Sequence, residues 1–148
     1  MIVSKNCIDL IKKFEGCRLA SYTDSVGVWT IGYGSTMWTD GKPIKQGETI
    51  NMETAEKLLM WEISNKSKSV AAMLDKVYYN QNQFDALVSF TFNLGVGALA
   101  KSTLLKIIRK NPHDPNIRNE FMKWCHAGGK ELKGLKLRRQ AEADLYFS

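Results

Sequence analysis

The sequence predicts an α+β chain that is mostly helical, with a small N-terminal β-hairpin lobe, a long connecting helix and an all-helical C-terminal lobe. Three observations predict it. Apolar residues recur at helical spacing from Ser4 to Glu15 and again from Asn51 onward. Between Ser21 and Thr39 that period gives way to Tyr, Val, Trp and Ile set among Thr, Ser and Gly, the composition of short strands and tight turns. Cap residues and glycine or proline breaks then divide the second half into separate helices.

The first helix follows Ser4 and carries Ile8, Leu10, Ile11 and Phe14; Gly16 suits its left-handed cap. In the strand region, alternation puts Val28, Thr30, Gly32 and Gly34 on one face and Trp29, Ile31, Tyr33 and Ser35 on the other. Asp40-Gly41-Lys42-Pro43 is a loop. Asn51 caps the connecting helix, which carries Ala55, Leu58, Leu59 and Ile63, then Val70, Met73 and Leu74. Asn80 with Gln83 three residues on forms a capping box, opening a helix that ends near Gly95 and Gly97. Ser102 opens the next helix, which Asn111-Pro112 closes. Asp114 as cap with Pro115 in the first turn starts another, expected to run to Gly128-Gly129, and Gly134 precedes the last. The lobes are expected to make one catalytic domain over 1–148: a small lobe at about 15–50, a connecting helix at about 51–75 and a helical lobe at about 76–148, with helix 1–14 packed on the last.

Composition narrows the function. With 148 residues, 44% of them hydrophobic and 24% charged, the chain can bury a core and is not a disordered or disulfide-dense chain. It has no apolar run of about 18 residues, so no membrane span is expected. The polar residues interspersed through Met1 to Phe14 do not read as a secretory signal, which points to synthesis in the cytoplasm. The net charge of +6 favours polyanions, and five basic residues lie between Lys130 and Arg139, yet no nucleic-acid recognition element is present and no nucleic-acid partner is expected. Cys7, Cys17 and Cys125 are odd in number and show neither CxxC spacing nor metal-style pairing with His113 or His126. No metal and no cofactor are therefore expected.

Two carboxylates carry the chemistry. Glu15 falls in the last turn of the first helix, where the negative end of the helix dipole penalises a charged carboxylate. A general acid must keep its proton until a leaving oxygen needs it. Asp24 lies in the polar turn Tyr22-Thr23-Asp24-Ser25, where hydroxyls and backbone N–H groups hold a carboxylate ionised. One protonated and one charged carboxyl is the pairing that glycoside hydrolysis requires. Thr30, on the strand that follows, has the hydroxyl to place a water.

The spacing Glu15, eight residues, Asp24, five residues, Thr30-Ile31-Gly32-Tyr33-Gly34 resembles the Glu–Asp–Thr triad of phage-type lysozymes, the endolysin family that includes the T4 and P22 enzymes. Gln83-Phe84-Asp85-Ala86-Leu87 through Asn93-Leu94-Gly95 resembles that family's central helix. Ser102-Thr103-Leu104-Leu105, Trp124, Gly134-Leu135, Arg138-Arg139 and Glu142 resemble its later landmarks, in order. The resemblance implies a lysozyme-like fold with the active site in a cleft between lobes. It also implies a muramidase that hydrolyses the β-1,4 bond between N-acetylmuramic acid and N-acetylglucosamine in bacterial peptidoglycan. Glu15 would be the general acid, with Asp24 and Thr30 positioning water or stabilising the transition state. Phe92, Asn93 and Ser102 match saccharide-contacting positions, and Arg138 or Arg139 is expected near Glu15. The family further implies a monomer held in the host cytoplasm until holin-type release gives it access to the wall. Ser35 departs from the pattern, standing where many relatives have His. The competing readings are a lytic transglycosylase, which cuts the same bond without water and needs neither Asp24 nor Thr30, and a non-catalytic wall or polyanion binder.

Overall fold

Ser4 starts the chain's first helix in the way its residue type favours. Its hydroxyl accepts from the Asn6 N–H at 3.2 Å, and the helix α1 runs Lys5–Glu15. Both the Ser4 hydroxyl and its N–H donate to the carboxylate of Asp85. Cys7 and Ile11 are fully buried on one face. The helix stops at Gly16, whose φ of 67° is the left-handed conformation, and whose N–H returns to the Lys12 carbonyl at 3.0 Å.

This computed structural model describes residues 1–148 and divides them into two units: Lys12–Asn65, and Met1–Ile11 together with Lys66–Ser148. The first unit holds the antiparallel pair β1 (Arg18–Thr23) and β2 (Trp29–Gly32). Tyr22 pairs with Thr30 and Thr23 with Trp29; the register slips between Arg18 and Tyr22. Along the outer side of β1 the Ser21 N–H reaches the Glu48 carbonyl and the Ile50 N–H reaches Leu19, both at 2.8 Å. The core of this unit gathers Ile31, Ile44 and Leu58, with Trp29, Trp38 and Ile50 packed against them. The alternation expected through Ser35 ends sooner. Gly32 already has φ +64°, and Ile31 and Ser35 exchange two backbone hydrogen bonds of 2.9 Å, so 31–35 is a tight turn rather than continued strand. Thr30 and Ile31 are both buried, which a strand covered on both faces requires.

The connecting helix α2 spans Met52–Met73, and the Asn51 side chain accepts from the Thr54 N–H at 2.8 Å as its cap. It begins in the first unit and ends in the second. The second unit continues with α3 (Gln81–Leu94), opened by the Asn80–Gln83 capping box, α4 (Val96–Lys101), α5 (Thr103–Lys110), α6 (Asn116–Met122) and α7 (Lys133–Tyr146). Phe84, Leu87, Phe90, Leu105, Phe121 and Tyr146 fill its core, with Phe90 meeting Phe121 and Trp124 edge-on at 5.8 and 5.5 Å. No helix is long and apolar enough to cross a membrane.

A second element differs from expectation. The helix opened at Asp114-Pro115 does not run to Gly128-Gly129 but ends at Met122, and a two-stranded ribbon follows: β3 (His126–Ala127) and β4 (Lys130–Glu131). Gly128 and Gly129 are its turn, with φ of +59° and +78°. A two-residue hairpin loop with both central residues at positive φ is what Gly-Gly provides most easily, so this pair turns a ribbon instead of ending a helix. The five-residue basic stretch is also not a uniformly exposed face, because Arg138 and Arg139 are buried.

Candidate active site

Glu15, Asp24 and Thr30 all belong to the Lys12–Asn65 unit. Glu15 is the last residue of α1, half-buried, with Lys12 and Lys13 in the same turn. The tight turn 31–35 brings Gly34 over its carboxyl: a Cβ built on Gly34 would lie 3.4 Å from Glu15 Oε1. Gly34 also has φ +86°, so both the backbone conformation and the proximity of that carboxyl call for glycine.

Asp24 is fastened by its own turn. Its N–H donates to the Val28 carbonyl at 2.9 Å, while its Oδ1 accepts from the N–H groups of Val26 and Val28, each at 2.9 Å. Two amide donors fix the orientation of the group, which is otherwise exposed to solvent. Thr30 is buried, and its hydroxyl donates to the Val28 carbonyl at 3.0 Å. With the proton spent there, the Thr30 oxygen is left as an acceptor. One turn residue, Val28, thus ties both side chains to the same piece of backbone.

Tyr22 is the residue that the sequence reading missed. It faces Thr30 across the ladder, two residues before Asp24. Its phenol is pushed above the ordinary tyrosine range, chiefly by burial; Arg18, stacked 4.5 Å from the ring centroid, opposes this, whereas Glu15 and Asp24 both add to it. Both carboxylates therefore act electrostatically on one phenol. The sequence signal was its place near a strand end, two residues before Asp24, which alone reads as ordinary strand composition. Behind the turn, Lys12 pairs with Glu56 at 2.6 Å, and the buried Tyr33 hydroxyl donates to the same oxygen at 3.4 Å, tying the end of α1 to α2.

The remaining predicted site residues lie in the other unit. Phe92 and Asn93 are half-buried in the last turn of α3. Asn93 Oδ1 accepts from Arg139 Nη2 at 2.6 Å, which directs the amide nitrogen away from the arginine. Arg139 is in turn paired with Glu142 at 2.9 Å; both are fully buried, and the Ser89 hydroxyl donates to Glu142 at 2.6 Å. Arg138 approaches the same carboxylate at 3.4 Å. Burial pushes the Glu142 carboxyl upward, with Arg139 and then Arg138 pulling against it. Ser102 is buried and uses its hydroxyl locally, donating to the Leu99 carbonyl at 2.7 Å and accepting from the Leu105 N–H at 3.0 Å as the cap of α5. Ser35 is buried as well, and its backbone closes the turn that carries Gly34. The one group of side chains with mixed metal-ligand character lies outside this site, at Cys125, His126 and Glu131.

Comparison with known proteins places the chain in a family. The family model described as phage lysozyme matches residues 12–142. The endolysin of Bacillus phage B103 is 40% identical over 150 residues; the match takes in 100% of this chain and 55% of that protein, so the chain spans about half its length. Among solved structures, the endolysin from Escherichia coli O157:H7 phage FAHEc1 superposes with a TM-score of 0.90 at 39% identity, over 100% of this chain and 94% of the other. The muramidase domain of SpmX from Asticaccaulis excentricus gives a TM-score of 0.86 at 30% identity, over 99% and 97%.

Proposed function

Because the chain belongs to the phage lysozyme family, we propose that it is an endolysin-type muramidase that hydrolyses the β-1,4 bond between N-acetylmuramic acid and N-acetylglucosamine in bacterial peptidoglycan. Glu15 is the general acid: its proton passes to the glycosidic oxygen as the bond to the muramic acid anomeric carbon breaks. A water attacks that carbon from the opposite face and gives a proton to Asp24. Its second hydrogen bond goes to Thr30. Tyr22 lies within electrostatic reach of both carboxylates. Phe92 and Asn93 contact the saccharide, the ring against apolar C–H faces and the amide nitrogen against hydroxyls. Ser102 contributes by setting the backbone at the start of α5.

The observation that carries this reading is the paired acceptor arrangement at Val28. Asp24 is held by two amide donors, and the Thr30 hydroxyl has its proton committed, so each side chain keeps an acceptor for a water. A transglycosylase has no use for such a water holder, and a wall binder has no use for the acid. The chemistry needs no cofactor. The protein acts as a monomer, on the cell wall, after release from the host cytoplasm.

Product analysis tests the reaction. Peptidoglycan sacculi digested in ¹⁸O-labelled water should yield muropeptides with a hydrated, singly labelled reducing muramic acid. Anhydromuramyl ends would overturn hydrolysis. Thr30→Ala tests the water holder: kcat should fall roughly 10- to 100-fold with KM nearly unchanged, because the lost hydroxyl orients a reacting water rather than the sugar. Thr30→Ser should recover most of the rate; a rise in KM alone would remove Thr30 from that role.

A further inference from the structure

The ribbon that replaces the end of the expected helix assembles three chemically distinct side chains that are separated or ambiguous in sequence. Cys125 is buried just before β3, His126 opens β3, and Glu131 on β4 is the register partner of His126. Their ligand atoms all lie within 4.8 Å of one another. Cys125 Sγ stands 3.6 Å from His126 Nδ1. Zinc–sulfur and zinc–nitrogen bonds of about 2.3 and 2.05 Å meeting at the tetrahedral angle put sulfur and nitrogen about 3.6 Å apart. The Cys125–His126 separation therefore matches the sulfur–nitrogen edge of a zinc tetrahedron. The exposed Glu131 needs only a side-chain adjustment to close the third corner, since the ladder has brought its backbone opposite His126.

We propose that Cys125, His126 and Glu131 form a site for a borderline-soft divalent cation of the zinc class, with a water in the fourth position. A thiolate, an imidazole and a carboxylate are the donor set that zinc takes, whereas magnesium and calcium prefer oxygen alone. Binding replaces the thiol proton of Cys125, now donated to the Met122 carbonyl at 3.1 Å, and that proton leaves to solvent. Glu131 gives up Lys136, an exposed partner at 3.3 Å whose loss costs little. Cys125 follows the last residue of α6 by three positions, so the cation ties the ribbon to the chain just leaving that helix. The site shares no residue with the hydrolytic centre, and its occupancy is measured independently of activity.

Reduced full-length protein dialysed against zinc chloride should hold one zinc per chain. Cobalt in its place should give the near-ultraviolet charge-transfer band of a cobalt–thiolate bond. His126→Gln and Glu131→Gln, both at exposed positions that leave the fold intact, should each weaken zinc binding at least about tenfold. Cys125→Ser should abolish the cobalt band, and Cys17→Ser should keep it. Absence of stoichiometric zinc, wild-type affinity in His126→Gln, or loss of the band in Cys17→Ser would each overturn the site.

Discussion

Glu15→Gln should clear no cell walls while folding as the parent does. The substitution keeps the shape of the side chain and removes only the acidic proton. Departure of the sugar oxygen then lacks its proton donor, and kcat should drop by about 10² to 10⁴ with KM close to that of the parent. A far-ultraviolet circular dichroism spectrum and a turbidity assay on wall suspensions measure the two halves of this expectation. Equal clearing by parent and variant would remove Glu15 from the acid role. Equal failure of both would count against the assignment of the reaction itself. Gly34 sharpens the argument, since the turn 31–35 brings its backbone close to this carboxyl and a methyl there would lie 3.4 Å from Oε1.

The second large effect is on stability. Glu142→Ala leaves Arg138 and Arg139 buried beside a cavity with their common carboxylate gone, and the Ser89 hydroxyl loses its acceptor. Breaking a buried ion pair by deleting one partner costs about 3–5 kcal/mol, far more than the pair itself contributes relative to an apolar replacement. For a chain of this size each kcal/mol lowers Tm by about 2–4 °C, so thermal unfolding should move down by about 6–20 °C. Glu142→Gln, which retains the shape and an acceptor for Ser89, should fall between the variant and the parent. A loss below about 1 kcal/mol in Glu142→Ala would show that the cluster is not a stability determinant. The same variant probes recognition, because Arg139 also holds the Asn93 amide; substrate affinity in the surviving folded protein should weaken.

Much of this was legible along the chain. Ser4, Asn51, Asn80, Ser102 and Gly16 start or stop helices in the structure by the local hydrogen bonds that their residue types favour. Such bonds join residues only two to four positions apart, so short windows of sequence suffice to read them. The Asp24 turn is of the same kind, and its grip on Val26 and Val28 follows from Asx-turn chemistry. Gly128-Gly129 misled because one dipeptide serves two local purposes. As a helix stop and as a hairpin turn it offers the same positive φ, and only the pairing of His126 with Glu131 chooses between them.

The sequence alone determined where helices begin, which stretch would pair as strands, and which carboxylates are the candidates for acid–base chemistry, since each depends on residue type and short spacing. Tertiary structure decided what depends on proximity between distant residues. It placed Gly34 over Glu15 and Tyr22 opposite Thr30, and drew two arginines of a basic run inward to Glu142. It also set Cys125, His126 and Glu131 around one point. Burial and distance govern those interactions, and neither exists until the chain has folded.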